Sequence, residues 1–507
     1  MLLQAVHYIA STWLKTRYSR IEKQLTAPIE CQQQVLDYLL ARASSTVYGQ
    51  QYGFKDIRSY QEFIKRAPLC TYESFYPYIE RVLRGEADCL WPGTPTWFAK
   101  SSGTTNDRSK YIPLTQESLY DCHYAAGQDM LTCYLHFRPN SKLFTGKGLV
   151  LGGSHQPGQL NSGIHVGDLS AAIIENMPIF YNWLRTPEKS ISLLSNWDEK
   201  LSQAAKQVVN ENVTSMYGVP TWLMILIKKL LIDNQLENIG QLWPNLEVFF
   251  HGAVNFEPYR VPFKDFFPNP SMTYFEIYNA SEGIFAFQHN PDEPGMLLLT
   301  DYGVYYEFIP AAEIDRSEPS VIPLEDVQLN ESYGLVISTN GGLWRYQIGD
   351  MVRFVSLKPY KIEISGRTKV FINAFGEELM IDNAERAIAT ACLHTQARVQ
   401  EYTVAPVYLQ HDRRGCHEWL IEFEVPPCNL SEFLSSLDSA LRRLNSDYDA
   451  KRSFDLAMTP PQITIIPQGT FYEWMRRRNK LGGQNKIPRL SNSRRYADEL
   501  LKMANLL

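Results

Sequence analysis

Hydroxyl side chains crowd around one glycine directly after the apolar run 96–99. The stretch consists of Ser101, Ser102, Gly103, Thr104 and Thr105, and Lys110 follows it. Glycine allows positive φ and close backbone approach, so amide groups here could converge on an anion such as phosphate. The hydroxyls would add donors, and Lys110 would add a mobile positive charge. The same five residues also suit a turn that satisfies only its own backbone, so alone they leave both interpretations open.

Two familiar catalytic patterns are excluded. A Walker-type phosphate loop needs G-x-x-x-x-G-K-[ST], but the only Gly-Lys pair, Gly146-Lys147, is followed by another glycine. The stretch GGSHQ (152–156) fails the hydrolase pattern G-x-S-x-G at its last position. Any phosphate chemistry must therefore use another kind of site.

A carboxylate follows a predicted strand in YNASEG (278–283), which contains Tyr278, Ser281 and Glu282. Mg²⁺ prefers oxygen ligands and bridges to phosphates, so Glu282 could hold this cation. The alternative is an ordinary surface glutamate.

A second carboxylate, Asp350, comes after Gly349 in LWRYQIGDMV (343–352), at a predicted turn into the next strand. A carboxylate only accepts hydrogen bonds, which suits it to both hydroxyls of a ribose. The alternative is a turn aspartate. Further on, Gly366-Arg367 in ISGRTKVF (364–371) suits either a ligand-facing arginine or a hinge.

A basic stretch near the C-terminus, RRRNKLGGQNKIPRLSNSRR (476–495), holds eight Lys or Arg residues and no acid. Such a run is usually a solvated face or a nucleic-acid tail. Here Lys486 lies between a Gly-Gly turn and Pro488. A lysine on such a constrained loop could enter a cleft and neutralise charge that develops on a carboxylate or phosphate.

Composition limits the class of protein. The chain has 507 residues, 44% of them hydrophobic, and a net charge of −6. This length predicts two or more domains, and the acidic balance argues against a general nucleic-acid binder. The eight cysteines form no CxxC pair, so we expect reduced thiols in a cytoplasmic protein and no zinc site. No apolar run is long enough to predict a membrane span, and the N-terminus reads as an amphipathic helix.

The pattern of apolar residues predicts an α/β fold. Residues 1–95 read as largely helical, and the middle of the chain alternates short apolar strands with polar loops and a buried helix at 220–234. After the boundary at 360–366 come helices at 381–396 and 431–444 and strands at 401–409, 417–425 and 462–467. We therefore expect a large α/β domain at 1–362 and a small α+β domain at 363–507.

Taken in order, these motifs resemble one known family. Ser-Ser-Gly-Thr-Thr, Tyr-x-x-Ser-Glu, Arg-Tyr-x-x-Gly-Asp, Gly-Arg-Thr and Lys-x-Pro-Arg occur together across residues 96–490. The chain resembles the auxin-responsive acyl acid–amido synthetases, within the adenylate-forming superfamily that includes firefly luciferase and acyl-CoA ligases. The stretches HGAVNFEPYR (251–260), GRTKVFINAFGEEL (366–379) and LNSDYDAKR (444–452) look closer to this family than to the superfamily. The resemblance implies a large adenylate-forming domain and a small mobile lid domain.

The resemblance also implies roles for these residues. Residues 101–105 would hold the phosphates of ATP, and Tyr278 and the turn His251-Gly252-Ala253 would flank the adenine. Ser281 would belong to the same ATP site. Glu282 would carry Mg²⁺, Asp350 would bind the ribose, and Lys486 would act in adenylation. Arg367 would lie by the hinge, where the superfamily often has an acid two positions later and this chain has Lys369.

The activity so implied is the ATP-dependent joining of a carboxylic acid to an amine, commonly an amino acid, through an acyl-adenylate. Tyr124, Tyr217, Val219 and Trp222 would line a pocket for an apolar or aromatic acid, although each of these side chains also suits an ordinary core. An acyl-CoA ligase would share the first half-reaction, but nothing in the sequence identifies a pantetheine tunnel. A non-catalytic nucleotide-binding scaffold would not need Glu282, Asp350 and Lys486 together.

Overall fold

A computed structural model describes residues 2–105, 108–153, 163–254, 256–314, 316–367, 371–408, 414–453, 458–478 and 487–506. Its helices are α1 (Leu2–Thr16), α2 (Tyr18–Thr26), α3 (Pro28–Ala43), α4 (Val47–Gln51), α5 (Tyr60–Arg66), α6 (Tyr72–Leu83), α7 (Ala125–Phe137), α8 (Leu169–Asn176), α9 (Ile179–Trp183), α10 (Lys189–Ser192), α11 (Trp197–Val208), α12 (Pro220–Asn234), α13 (Glu257–Phe266), α14 (Ile381–Thr395), α15 (Leu430–Leu444), α16 (Ser446–Arg452), α17 (Thr470–Arg477) and α18 (Arg495–Met503). Its strands are β1 (Trp97–Thr105), β2 (Arg108–Leu114), β3 (Lys147–Val150), β4 (His165–Gly167), β5 (Arg185–Thr186), β6 (Val213–Gly218), β7 (Val248–Gly252), β8 (Thr273–Ala280), β9 (Gly283–Phe287), β10 (Met296–Leu298), β11 (Val304–Pro310), β12 (Ile322–Pro323), β13 (Ser332–Thr339), β14 (Tyr346–Leu357), β15 (Tyr360–Arg367), β16 (Phe371–Ile372), β17 (Leu379–Met380), β18 (Arg398–Val407), β19 (Cys416–Val425) and β20 (Gln462–Ile465).

The predicted α/β fold is confirmed. Within the described residues, twelve strands form one mixed sheet in the order β12-β11-β13-β14-β15-β10-β9-β8-β7-β6-β3-β5. The half from β8 to β5 is parallel, while the half from β8 to β12 is antiparallel. Strands β7 and β8 therefore end at the same edge, where open α/β sheets usually bind ligands.

Local signals explain where several helices begin and end. Helix α12 starts with Pro220. An N–H group in the first turn makes no hydrogen bond within the helix, so proline costs none at this position. The helix ends before Gln235, which has the left-handed conformation with φ 53°. In helix α6, the side chains of Thr71 and Ser74 each accept from the other's backbone N–H. Helix α12 was predicted at 220–234, which are its observed bounds.

The hydroxyl-rich stretch is part of a strand, so the prediction of a loop or turn over Ser101–Thr105 is wrong. Strand β1 pairs antiparallel with β2 and parallel with β4 in a separate three-stranded sheet. The pairing of β1 with β2 is irregular between Ser101 and Thr105. At Ser101 and Thr105, cross-strand pairing supplies backbone partners that local turn chemistry would otherwise have to supply.

The C-terminal part forms a smaller unit around the three-stranded sheet β18-β19-β20, flanked by α14, α15, α17 and α18. Strand β15 belongs to the large sheet and extends to Arg367, past the predicted division at 362/363. The division at 362/363 stays a prediction. One hydrophobic core joins both parts, because Leu223 of α12 and Phe375 after β16 are fully buried in the same cluster.

The described residues also bear on the expectations about a membrane span and about the cysteines. None of their helices is long and apolar enough to cross a bilayer. The cysteines are unpaired thiols, and six of the eight are buried.

Candidate functional site

A cavity of about 780 Å³ opens at the ends of β7 and β8. The hairpin turn between β8 and β9, strands β14 and β15, and the segment after β16 also line it. Eight residues predicted from the sequence lie on its wall: Lys110, His251, Gly252, Ala253, Tyr278, Ser281, Glu282 and Asp350. The fold thus gathers predicted site residues that lie far apart in the chain onto one surface.

The turn after β7 is shaped for close approach. A Cβ atom on Gly252 would lie 2.5 Å from the carbonyl oxygen of Ile277 on the paired strand β8, so only glycine fits there. Ala253 follows with φ 69°, a left-handed conformation that brings the chain sharply around. Both residues face the cavity.

His251 is a neutral aromatic wall of the cavity. Its ring stacks on Phe256 with the centroids 3.9 Å apart. Burial, assisted by the nearby charge of Arg260, lowers the pKa of His251 to about 3. Its Nδ1 has no hydrogen-bond partner among the described residues. A flat, uncharged ring on the cavity wall suits a heterocyclic base.

Asp350 is held by Tyr278. The Tyr278 hydroxyl donates a 2.6 Å hydrogen bond to Asp350 Oδ2, and the two residues are 4% and 7% exposed. Asp350 was predicted at a turn, and that prediction is wrong, because it lies inside strand β14. The pairing with β15 shifts register between Met351 and Val352, and such an irregularity re-aims neighbouring side chains.

Glu282 is nearly buried on the hairpin turn between β8 and β9, at 8% exposure. The ring of Tyr346 lies close to it, and burial together with the Glu282 charge raises the pKa of that phenol well above its ordinary value. Lys110 Nζ donates a 3.2 Å hydrogen bond to the Tyr346 hydroxyl and lines the same cavity. A carboxylate and an ammonium therefore share this end of the site.

Lys110 also locates the hydroxyl-rich strand. It pairs with Ser101 across β1 and β2, so the stretch 101–105 begins opposite a residue of the cavity wall. The side chains of 101–105 lie outside the described residues. In strand β15 the backbone of Arg367 pairs with Asp350, while its side chain, Lys369 and Lys486 are also outside the described residues.

The four residues predicted for an acyl pocket lie around the start of α12 and the neighbouring helices. The Tyr124 hydroxyl donates a 2.7 Å hydrogen bond to the Ile173 carbonyl of α8. Tyr217 stacks on Phe250 at 4.9 Å, Val219 precedes α12, and Trp222 lies in its first turn. Among the described residues lining the cavity none of the four occurs, but Leu169 of α8 does.

The C-terminal part supplies cavity residues that we did not predict. Asn492 Oδ1 accepts a 2.6 Å hydrogen bond from the Asn373 N–H, and the Tyr408 hydroxyl donates to the Asn492 carbonyl at 2.6 Å. The Tyr259 hydroxyl of α13 donates to the Ala374 carbonyl. Only the stretch GRTKVFINAFGEEL hinted at this junction, since contacts between distant segments leave no local pattern.

The described arginines of the basic stretch are paired with acids. Arg476 and Arg477 bond Glu473, and Arg478 bonds Glu499. Arg489 bonds Glu401, and Arg494 bonds Glu418 at 2.7 Å. These internal pairs account for the charge of the arginines that the structure describes in this stretch.

Comparison with known proteins identifies domains along most of the chain. Residues 17–272 match the GH3 family N-terminal domain, residues 297–367 the GH3 family central domain and residues 382–495 the GH3 family C-terminal domain.

Three curated relatives are similar over nearly their whole length. An indole-3-acetic acid-amido synthetase, GH3.3 of Arabidopsis thaliana, is 24% identical over 93% of this chain and 91% of its own. A 4-substituted benzoates-glutamate ligase, GH3.12 of the same plant, is 22% identical over 93% and 94%. A jasmonoyl–L-amino acid synthetase, GH3.5 of Oryza sativa subsp. japonica, is 24% identical over 91% and 92%.

Two solved structures share the fold. The GH3.15 acyl acid amido synthetase superposes with a TM-score of 0.62 at 19% identity, covering 97% of this chain and 96% of its own. A 2-hydroxyisobutyryl-CoA ligase, solved with 2-HIB-AMP and CoA, superposes with a TM-score of 0.56 at 10% identity, covering 95% and 94%.

Proposed function

This chain belongs to the GH3 family, and we propose that it is an ATP-dependent acyl acid–amido synthetase. It activates a carboxylic acid as an acyl-adenylate and transfers the acyl group to an amino acid. The observation that carries the assignment is the single cavity in which Glu282, Asp350, Tyr278 and Lys110 meet. The relatives named above are ligases of this type.

The nucleotide is held from three sides. The neutral ring of His251, with Tyr278, flanks the adenine. Asp350 accepts from the ribose hydroxyls as well as from Tyr278, because a carboxylate has several acceptor sites. The β1–β2 strands and Lys110 lie beside the phosphates, where backbone amides and an ammonium neutralise negative charge.

The residues present fit Mg²⁺. The described residues contain no cluster of three or more His, Cys, Asp or Glu side chains that could cage a metal ion alone. Mg²⁺ needs no such cage, because it is usually bound by one or two carboxylates together with substrate phosphates and water. Glu282 would hold it, and the ion would neutralise charge on the phosphates.

In the first half-reaction an oxygen of the substrate carboxylate attacks the α-phosphorus of ATP, and pyrophosphate leaves. Direct attack of an amine on a carboxylate would have to expel oxide, which is a very poor leaving group. In the mixed anhydride the leaving group is AMP instead. The chain contributes positioning and charge neutralisation. Lys486, on the C-terminal part, supplies the cation to the reacting groups.

In the second half-reaction the amine attacks the acyl carbon, the C–O bond to AMP breaks, and the amine loses a proton. The anhydride must be kept from water meanwhile. Asn492 and Tyr408 bring the C-terminal part over the cavity, so this part acts as a lid, and Arg367 lies at its hinge.

The acid has an apolar or aromatic body. Tyr124, Tyr217, Val219 and Trp222 form the wall that would receive it. The relatives named above act on indole-3-acetic, jasmonic and benzoic acids, all of which carry such a body.

The decisive experiment separates the two half-reactions. Carboxylic acids are screened for acid-dependent exchange of labelled pyrophosphate into ATP, and each active acid is then incubated with mixed amino acids or with CoA. We expect exchange with an aromatic acid and an amide product by mass. A thioester in place of the amide would identify an acyl-CoA ligase, and absence of exchange with every acid would contradict an adenylating enzyme.

A further inference from the structure

A lysine from the C-terminal part lies on the predicted acyl-pocket wall. Lys451 is in helix α16 and is only 8% exposed. Its Nζ lies 3.7 Å from the centroid of the Trp222 ring, at the start of α12. The contact therefore joins the C-terminal part to the large domain.

The helix that carries Lys451 is firmly held. Tyr448 donates a 2.8 Å hydrogen bond to Asp438 of α15, and Arg452 forms a salt bridge of 2.7 Å with the same carboxylate. Asn445 caps the helix by accepting from the Tyr448 N–H at 2.8 Å. Lys451 is thus presented at the interface by a rigid support.

Within the described residues, the ammonium has no anionic partner. Among the described residues no oxygen accepts a hydrogen bond from Lys451 Nζ, and no carboxylate forms a salt bridge with it. Glu377 is engaged elsewhere, with the N–H groups of Ala374 and Phe375 and with His417 Nε2 at 2.7 Å. Burial lowers the pKa of Lys451 to about 8, although Asp447, Glu377, Asp168 and Glu378 oppose this shift from a distance.

This arrangement is unusual for a buried cation. An aromatic face replaces only part of the hydration that an ammonium loses on burial. Buried charges are normally paired with an opposite charge. An unpaired ammonium held in place by rigid neighbours is therefore suited to an anion that arrives from outside.

The ammonium also adjoins the nucleotide cavity. A Cβ atom on Gly376 would lie 3.2 Å from Lys451 Cε and 3.3 Å from Nζ. Gly376 belongs to the turn whose residues Ala374 and Glu378 line the cavity. Lys451 thus lies between the cavity wall and Trp222, which is the region where an acceptor would have to meet the activated acid.

We propose that Lys451 binds the α-carboxylate of the amino-acid acceptor in the amide-forming half-reaction. The inference rests on the proposed function, which requires an acceptor that carries this anion. Glu378 lines the cavity in the same turn as Gly376. The acceptor region therefore has a carboxylate as well as the ammonium of Lys451, and a zwitterion carries both signs of charge.

The test compares two acceptors. The first is the amino acid that the wild-type enzyme uses best, and the second is the amine that remains when its carboxylate is removed. For Lys451→Met we expect the ratio of kcat/KM for the amino acid to kcat/KM for the amine to fall by tenfold or more, through KM. Lys451→Arg should retain a larger part of the ratio because it keeps the charge.

Lys200 provides a matched control. It is 1% exposed, and burial likewise lowers its pKa to about 8. Its Nζ, however, already donates to the carbonyl oxygens of Gly152 and Gly153, at 3.1 Å each. Lys200→Met should therefore leave the acceptor ratio at the wild-type value, even where it lowers stability.

Each outcome decides the matter. An unchanged ratio in Lys451→Met would overturn the proposal. An equal loss of kcat/KM with both acceptors would also overturn it, and would show that Lys451 only stabilises the contact between the two parts. If Lys451→Met does not fold, the same ratio is measured for Lys451→Gln. A wild-type enzyme that exchanges pyrophosphate but forms no amide would instead refute the proposed function, and the acceptor site with it.

Discussion

Replacing Tyr278 by phenylalanine tests the ribose role of Asp350. The substitution removes one hydroxyl and retains the aromatic ring beside the proposed adenine site. The lost bond is short, at 2.6 Å, and it ends on a carboxylate that is 7% exposed. Without it, the Asp350 carboxylate loses a hydrogen bond that orients it toward the cavity.

The magnitude follows from the charge on the acceptor. Hydrogen bonds to charged groups contribute about 1.5–3 kcal/mol, and each 1.4 kcal/mol corresponds to a tenfold change in binding. We therefore expect Tyr278→Phe to raise the KM for ATP about 10- to 100-fold in acid-dependent pyrophosphate exchange.

A matched substitution and a modified substrate complete the experiment. Tyr306→Phe removes an equally buried hydroxyl, which donates to the Phe285 carbonyl at 3.4 Å outside the cavity, so its KM for ATP should equal that of wild type. With 2′,3′-dideoxy-ATP, which has no ribose hydroxyls, Tyr278→Phe and wild type should have similar KM values. An unchanged KM for ATP in Tyr278→Phe, or the same defect with the dideoxy substrate, would refute the ribose assignment.

Three further predictions concern charge. Glu282→Gln should lower pyrophosphate exchange and raise the Mg²⁺ concentration needed for half-maximal rate. The control Glu325→Gln, at an exposed position, should change neither. Equal Mg²⁺ dependence in both variants would remove Glu282 from the metal site. Lys486→Ala should abolish acid-dependent exchange with the fold intact, while Lys480→Ala in the same basic stretch should not, and normal exchange in Lys486→Ala would rule out its catalytic role. Burial lowers the pKa values of His123, His251 and His289 to about 4, 3 and 4. Below pH 6.5 the unfolded chain therefore binds more protons than the folded one. The free energy of unfolding should fall by about 1.4 kcal/mol per pH unit for each histidine down to about pH 4. Urea unfolding at pH 7 and pH 5 measures this loss, and equal midpoints would contradict it.

Elements with a strong local pattern were predicted well. Helix α12 has the bounds that its apolar residues indicate, and helices α14 and α15 lie within a residue of their predicted limits. Periodicity and β-branched runs report on which side of an element is buried, and this information is local. The family was likewise readable, because its motifs are short stretches in a set order.

Backbone pairing between segments was not readable in the same way. Ser101–Thr105 and Asp350 were placed in turns because their glycines and hydroxyls favour turns, yet both lie in strands. The partners that decide this, β2 and β15, stabilise extended conformations through cross-strand hydrogen bonds. Tertiary context thus overrode local turn preference.

By itself, the order of residues determined the helices and strands with clear periodicity, the types of side chain available for nucleotide chemistry, and the family. Only the tertiary structure decided that Tyr278 bonds Asp350, that Lys110 reaches Tyr346, and that Lys451 lies on Trp222 without an anion. The reason is that distances between segments far apart in the chain depend on strand order and on how the two parts pack together. No local pattern encodes these distances, because they arise from the packing of the whole chain.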